Sequence, residues 1–248
     1  RAGVNAGNSI ASGGNYNVTV GDEAGTALTT GTHNTFLGST SGDAITDADY
    51  NTALGSRALT TNVLGSANTA VGFDALFTVN PATAVTMYNT AVGYQAGGAV
   101  TTGIQNTLIG GLAGDAITTA NNNTAVGKSS LSATTTGGEN TAVGINALKD
   151  NTTASNNTAV GTNASTANTT GASNTAVGYA ALSVNTSGAS NTAVGYDSLK
   201  VNTTAANNVA VGKSALAANT TGAQNTAVGH TAGAGITTGD YNQAFGYQ

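Results

Sequence analysis

The pentad Asn-Thr-Ala-Val-Gly, or a close variant of it, recurs along the whole chain at a nearly constant interval. Successive copies are 17 residues apart, except that 21 residues separate Asn68 from Asn89. This period is too short for helical-hairpin repeats, which need about 34–47 residues per unit. The fourteen copies begin at Asn17, Asn34, Asn51, Asn68, Asn89, Asn106, Asn123, Asn140, Asn157, Asn174, Asn191, Asn208, Asn225 and Asn242.

The apolar part of each repeat is short and β-branched, and turn-forming Gly, Asn and Thr residues bound it. That pattern predicts short strands separated by tight turns. We therefore predict an all-β protein, a parallel β-solenoid of about fourteen 17-residue coils that forms one domain over residues 1–248. Adjacent coils would lie about 4.8 Å apart, the spacing of hydrogen-bonded strands.

Stacking in register places equivalent residues of neighbouring coils above one another. The repeat Asn is then expected to form a ladder of side-chain amides. The Gly is expected in a turn conformation or at a contact that a Cβ atom would block. The bulky fourth residue of the pentad is expected to form an internal spine. The predicted ladder residues include Asn68, Val71, Gly72, Asn89, Val92, Gly93, Asn106, Ile109, Gly110, Asn174, Val177 and Gly178.

The charged residues provide a check on this register. Like charges about 5 Å apart repel by roughly 1 kcal/mol even in water, so they should not follow one another in a column. Arg57 and Asp74 occupy the same column in neighbouring repeats and have opposite signs. The charge distribution therefore supports strict stacking.

Composition restricts the possible functions. Charged residues make up 7% of the chain and cysteine is absent, which excludes disulfides and thiolate metal sites. The six basic residues are dispersed, so we expect no nucleic-acid partner. No long apolar run is present, so we expect no membrane insertion. The two histidines, His33 and His230, are far apart, and the acidic residues are scattered. We therefore predict no catalytic residues, no metal, no cofactor and no enzymatic activity.

Each coil offers few large apolar side chains, because much of its hydrophobic content is Ala. Such a thin core favours side-by-side association of several chains, so we predict a homo-oligomer. The sequence stops within a repeat at Gln248. An unpaired coil edge there would favour end-to-end polymerisation.

Two features are candidate receptor contacts. The four extra residues of the long repeat lie within 77–88, which holds Pro81 and Met87; the alternative is a tolerated insertion in an outer turn. Tyr94, Tyr179 and Tyr196 each follow a repeat Gly and are candidates for stacking on a ligand. The alternative for these tyrosines is packing over the Gly turn.

An Asn-Thr-Thr or Asn-Thr-Ser sequence recurs in register in the second half of the chain. It matches an N-glycosylation sequon. It equally matches a turn closed by hydrogen bonds from the Asn side chain to the backbone. The asparagines are Asn151, Asn168, Asn185, Asn202 and Asn219.

The unit Asn-Thr-Ala-Val-Gly-x-x-Ala-Leu resembles the head repeats of trimeric autotransporter adhesins, the YadA-like family. It is equally similar to repeats of phage tail fibres. The resemblance implies a left-handed β-roll, three chains around one axis, and a location outside the cell, on a cell or virion surface. It also implies attachment to a glycan or host-surface receptor. The period is longer than in the usual adhesin head, and no neck, stalk or anchor is recognisable. The expected function is a structural or adhesive fibre segment, with a self-assembling extracellular filament or a phage tail-fibre shaft as alternatives.

Overall fold

The structure, a computed structural model, describes residues 2–247 and contains two compact units that divide after Asn123. No helix occurs in this part of the chain. The strands of the first unit are β1 (Val18–Val20), β2 (Thr35–Leu37), β3 (Thr52–Leu54), β4 (Gly65–Ser66), β5 (Thr69–Val71), β6 (Val85–Thr86), β7 (Thr90–Val92) and β8 (Thr107–Ile109). Those of the second are β9 (Thr124–Val126), β10 (Thr141–Val143), β11 (Thr158–Val160), β12 (Thr175–Val177), β13 (Thr192–Val194), β14 (Val209–Val211), β15 (Thr226–Val228) and β16 (Gln243–Phe245).

Each unit is a parallel β-solenoid, as the repeat predicts. Within a unit, the strand of each pentad pairs in parallel with the strand of the next pentad, and identical positions face each other. Thr141 is opposite Thr158, for example, and Ala142 is opposite Ala159. The 21-residue coil keeps the pentad register, because Thr69 pairs with Thr90. That the whole chain forms one domain stays a prediction, and the edge predicted at Gln248 lies outside the described residues.

The invariant Asn of the pentad forms the expected ladder in both units. The copies from Asn34 to Asn225 are buried. In most copies Oδ1 accepts a hydrogen bond from the backbone N–H of the next Asn, and Nδ2 donates to a carbonyl in the following turn. In Asn174 these bonds measure 2.9 Å from Asn191 N and 2.8 Å to Gly188 O. Asn89 and Asn106 make equivalent contacts. The ladder thus satisfies buried backbone groups that adjacent strands leave unpaired.

The pentad Gly meets both expectations at once. Gly178 has a φ of 134°, a conformation that side chains rarely adopt. A Cβ atom built on it would lie 2.5 Å from the carbonyl oxygen of Gly195 in the next coil. Gly72, Gly93 and Gly110 share this backbone, with φ of 130°, 140° and 135°. Glycine is therefore required here both by its torsion angle and by the close stacking of the turns.

The prediction that the fourth pentad residue forms an internal spine is wrong. Successive residues of a strand point to opposite faces. The buried Asn at the first pentad position fixes the third position inside, and Ala70 is accordingly 0% exposed. The fourth residue therefore points outward. Val71, Val92 and Val177 are only partly buried, and Ile109 is 38% exposed.

The core is completed by residues that follow the strand, eight and eleven positions after the first Asn. In most coils the residue eight positions on is a buried Leu, such as Leu182 or Leu199, in the left-handed conformation. Some coils have Gly at this position, and their pentads tend to carry a larger third residue. Cβ atoms built on Gly25 and Gly42 would both lie 2.8 Å or less from the ring of Phe36. A larger side chain in the strand column is therefore accommodated by Gly in the neighbouring column.

Candidate functional site

Three columns of outward-facing side chains are the candidate functional surfaces of these solenoids. The first is the fourth pentad position, where Val, Leu and Ile follow one another on the outer face of the sheet. Leu54 and Ile109 are each 38% exposed, and Val160 is 37% exposed. A β-branched Thr column runs beside it at the second pentad position, also facing outward. The fourth pentad residues give each unit an aliphatic stripe, defined as those from Val20 to Ile109 and from Val126 to Val228.

The second column directly follows the pentad Gly and carries the predicted tyrosines. Tyr94, Tyr179 and Tyr196 are 55%, 48% and 50% exposed. Tyr179 and Tyr196 stack on each other with 5.2 Å between ring centroids, and Tyr94 stacks on Phe73 at 5.8 Å. The rings are therefore exposed mainly at their outer edges, and Lys213 lies over the ring of Tyr196 at 5.9 Å. Receptor contact by these tyrosines stays a prediction.

The third column immediately precedes the repeat Asn and was not singled out from the sequence. Its residues share a left-handed backbone, which points their side chains away from the coil. Tyr16, His33 and Tyr50 form a continuous stack, with centroid distances of 4.8 Å and 5.1 Å. Their spacing of 17 residues was a visible signal, but it becomes meaningful only when the coils are known to stack in register.

The prediction that Pro81 and Met87 contact a receptor is wrong, because both residues are buried. The sulfur of Met87 packs against Gly65 so closely that a Cβ atom there would lie 2.6 Å away. The insertion therefore supplies an apolar side chain to a coil interior that is otherwise thin. Its exposed part is residues 82–86, where β6 pairs with β4.

The five sequon asparagines form a second buried ladder. Each is 0% exposed, and each donates from Nδ2 to a carbonyl three residues on. Nδ2 of Asn185 also donates to Oδ1 of Asn168 at 2.9 Å. The turn interpretation is thus confirmed for Asn151, Asn168, Asn185, Asn202 and Asn219. In this conformation their amides are not accessible for glycosylation.

A small acidic cavity of about 240 Å³ lies in the first unit, beside Asp74, Phe77 and Asp115. Arg57 makes an ion pair with Asp74 at 3.0 Å and lies over the ring of Phe77 at 4.6 Å. Burial raises the pKa of Asp115, because a partly desolvated carboxylate is disfavoured. The cavity is therefore lined by one carboxylate that is paired with an arginine and by one that is partly desolvated.

Among residues 2–247, no three His, Cys, Asp or Glu side chains are close enough to share a metal ion. Nor does that part of the chain contain a helix long and apolar enough to cross a membrane. The fold and its surfaces define a class, the β-solenoid repeat proteins, whose available chemistry lies in outward columns of repeated side chains. No protein-family model, curated protein or solved structure matches the chain.

Proposed function

We propose that this chain is a structural and adhesive segment of a surface fibre, in which three identical chains associate through their aliphatic stripes. The observation that carries the proposal is the stripe itself. Val, Leu and Ile stand coil after coil at a position where nothing in the same chain covers them fully. Contiguous exposed apolar surface of this kind is typical of an association site.

The solenoid interior supports the same conclusion. It contains Ala at the third pentad position, where Ala70 and Ala176 are fully buried, and only one larger aliphatic side chain in most coils. The stripe adds an apolar side chain to each coil that would be buried only by association. A homotrimer would use this area without changing the coil. The left-handed coil and the number three rest on the resemblance to YadA-like head repeats.

Attachment is the function that such an assembly would serve. A rigid segment with in-register columns presents the same exposed side chains repeatedly, which favours multivalent contact with a glycan or host surface. The exposed faces of Tyr94, Tyr179 and Tyr196 are candidate contact points. The segment would act outside the cell, on a cell or virion surface. No cofactor, nucleic acid or membrane insertion enters this mechanism, and we propose no enzymatic activity.

Sedimentation equilibrium and electron microscopy of the purified chain test the proposal. The decisive variant carries Val177→Lys and Val194→Lys, two neighbouring stripe residues. The matched control carries Val184→Lys and Val201→Lys, which also places two lysines in neighbouring coils but away from the stripe. We expect a trimeric wild type and control, and a monomeric stripe variant with unchanged circular dichroism.

A monomeric wild type at micromolar concentration would contradict the association. Long filaments, in place of discrete particles, would instead support the self-assembling filament. An assay of binding to host cells distinguishes a cell-surface adhesin segment from a phage tail-fibre shaft. Adhesion that survives combined substitution of the three tyrosines would make the segment a spacer that presents another binding site.

A further inference from the structure

One ring is absent from the aromatic column that precedes the repeat Asn. Tyr16, His33 and Tyr50 stack continuously, and Tyr88 belongs to the same column two coils beyond Tyr50. Ala67 occupies the position between Tyr50 and Tyr88. Tyr50, Ala67 and Tyr88 have the same left-handed backbone, with φ of 59°, 58° and 55° respectively. The column therefore continues past Tyr50 to Tyr88 but lacks an aromatic ring at Ala67.

The result is an open slot of about 430 Å³ lined by Tyr50, Ala67, Tyr88, Asp49, Ser66 and Thr86. Tyr50 and Tyr88 are each 62% exposed, so the slot is open to solvent. Two coil spacings, about 10 Å, separate the backbones that carry the two rings. A flat group inserted over Ala67 would thus lie about 5 Å from each ring, as His33 lies 4.8 Å and 5.1 Å from its two tyrosines.

The lining of the slot includes one carboxylate, that of Asp49. Oδ1 of Asp49 accepts hydrogen bonds from the backbone N and Oγ1 of Thr32, at 2.6 Å and 3.0 Å. Within residues 2–247, no hydrogen bond or ion pair engages the second carboxylate oxygen of Asp49. Asp47 adds a further exposed carboxylate nearby in sequence. A cation is therefore favoured over a neutral or anionic ligand.

The chain itself shows how a planar cation is held on this scaffold. The guanidinium of Arg57 lies 5.4 Å and 4.6 Å from the ring centroids of Phe73 and Phe77, while its Nε pairs with Asp74 at 3.0 Å. The slot offers the same combination, two aromatic rings and one carboxylate, but without the arginine. Cations within about 6 Å of an aromatic centroid are attracted by its negative face.

We propose that the slot of Tyr50, Ala67 and Tyr88 binds the guanidinium group of an arginine side chain on a partner protein. The planar guanidinium stacks between the two tyrosines, and Asp49 accepts hydrogen bonds from its N–H groups. Guanidinium is preferred over ammonium, because it is flat, less strongly hydrated and able to stack. The site does not depend on association through the aliphatic stripe, so either can fail alone.

The test uses the full chain and a small probe, N-acetyl-arginine amide, titrated while methyl signals of ¹³C-alanine are followed by NMR. Two matched probes isolate the chemistry: the citrulline amide is flat but neutral, and the lysine amide is charged but not flat. We expect the arginine probe to shift the Ala67 methyl signal. Its binding should be about fivefold or more tighter than that of either matched probe, within the range of cation–π energies.

Four variants locate the site. Ala67→Tyr fills the slot with the ring that the column lacks and should abolish binding, and Ser190→Tyr adds a ring at the equivalent position of another coil as its control. Tyr88→Ala and Asp49→Asn should each weaken binding about fivefold or more, and the amide introduced by Asp49→Asn retains an acceptor oxygen for Thr32. In the Ala67→Tyr variant, which lacks the Ala67 methyl group, the backbone amide signals of Tyr50 and Tyr88 report binding. Circular dichroism verifies that each variant is folded.

Three results would overturn the assignment. Equal binding of the arginine and citrulline probes would show that the charge is not recognised. Tighter binding of methyl glucoside would make the slot a sugar site. Unchanged arginine binding in the Ala67→Tyr variant would place the interaction elsewhere. Ala67→Tyr keeps a backbone that tyrosine already adopts at Tyr50 and Tyr88, so it should fold even if Asp49→Asn does not.

Discussion

The close stacking of the pentad glycines makes a strong prediction about Gly93→Ala. Gly93 has a φ of 140°, and a Cβ atom added to it would lie 2.5 Å from the carbonyl oxygen and 2.6 Å from the carbonyl carbon of Gly110. Both are backbone atoms, so no side-chain rotation relieves the overlap. Gly111 is the matched control, because a Cβ atom on it meets nothing within 4 Å.

The expected loss for Gly93→Ala has two parts. Placing a non-glycine residue in this region of backbone conformation costs about 1–3 kcal/mol. Separating the coils also weakens neighbouring ladder bonds, such as the 2.8 Å bond from Gly110 N to Val92 O, at about 0.5–1.5 kcal/mol each. Together these lower the free energy of unfolding by about 3–4 kcal/mol, a more than hundredfold change in the equilibrium constant. Gly111→Ala should be neutral or stabilising by up to about 1 kcal/mol.

Urea unfolding followed by circular dichroism measures the difference, and amide hydrogen exchange locates it. Because repeat arrays lose cooperativity locally, exchange should accelerate first in the coils that contain Gly93 and Gly110. Similar midpoints for the Gly93→Ala and Gly111→Ala variants would refute the reasoning. The backbone contact would then not limit the stacking of coils.

Three further predictions concern the core, the amide ladder and the partly buried Asp115. Phe36→Ala should lower the free energy of unfolding by about 3–5 kcal/mol, and Gly42→Leu should lower it by about 1–3 kcal/mol. The double variant should lose less than the sum of these two values, which a double-mutant cycle in urea would measure. Asn191→Ala leaves buried partners of the amide ladder unsatisfied and should lower the free energy of unfolding by at least about 2 kcal/mol. An unchanged urea midpoint would show that the ladder does not contribute to stability. The pKa of Asp115 is raised in the folded state, so its ionisation opposes folding, and the stability that its protonation provides is lost as pH rises through that value. Asp115→Asn should therefore raise the urea midpoint near neutral pH but not below about pH 3.

The sequence predicted the features that every coil repeats. The period, the strand positions, the Asn ladder and the torsion angle of the Gly each follow from one invariant column with one physical cause. The orientation of the pentad was predicted incorrectly, because bulk was taken as the sign of burial. In a strand this short, the buried amide of Asn68 fixes Ala70 inside and leaves Val71 outside.

The candidate site was harder to predict because it depends on what a column lacks. Ala67 is unremarkable in the sequence, and becomes meaningful only once it stands between Tyr50 and Tyr88. The insertion also displaces Tyr88 from the regular count of 17, so a simple periodic alignment does not bring it into the column. Pro81 and Met87 were misjudged for a related reason. An insertion lengthens the outline of a coil, but part of it turns inward to fill the core.

The ring of Phe36 occupies space that side chains at the neighbouring glycines would need, and this dependence limits how such a chain can change in length. Within a unit, the hydrogen bonds between coils repeat in the same pattern from one coil to the next, so removing 174–190 would bring Ser173 to Asn191 with the local pattern restored. Coils with Leu at the inner position and Ala in the strand are interchangeable with one another. A coil with a large strand residue is not, because it needs a glycine in its own coil and in the adjacent one. Gene-level duplication or loss should therefore occur one coil at a time in the uniform stretches, and in linked groups around Phe36 and Leu108.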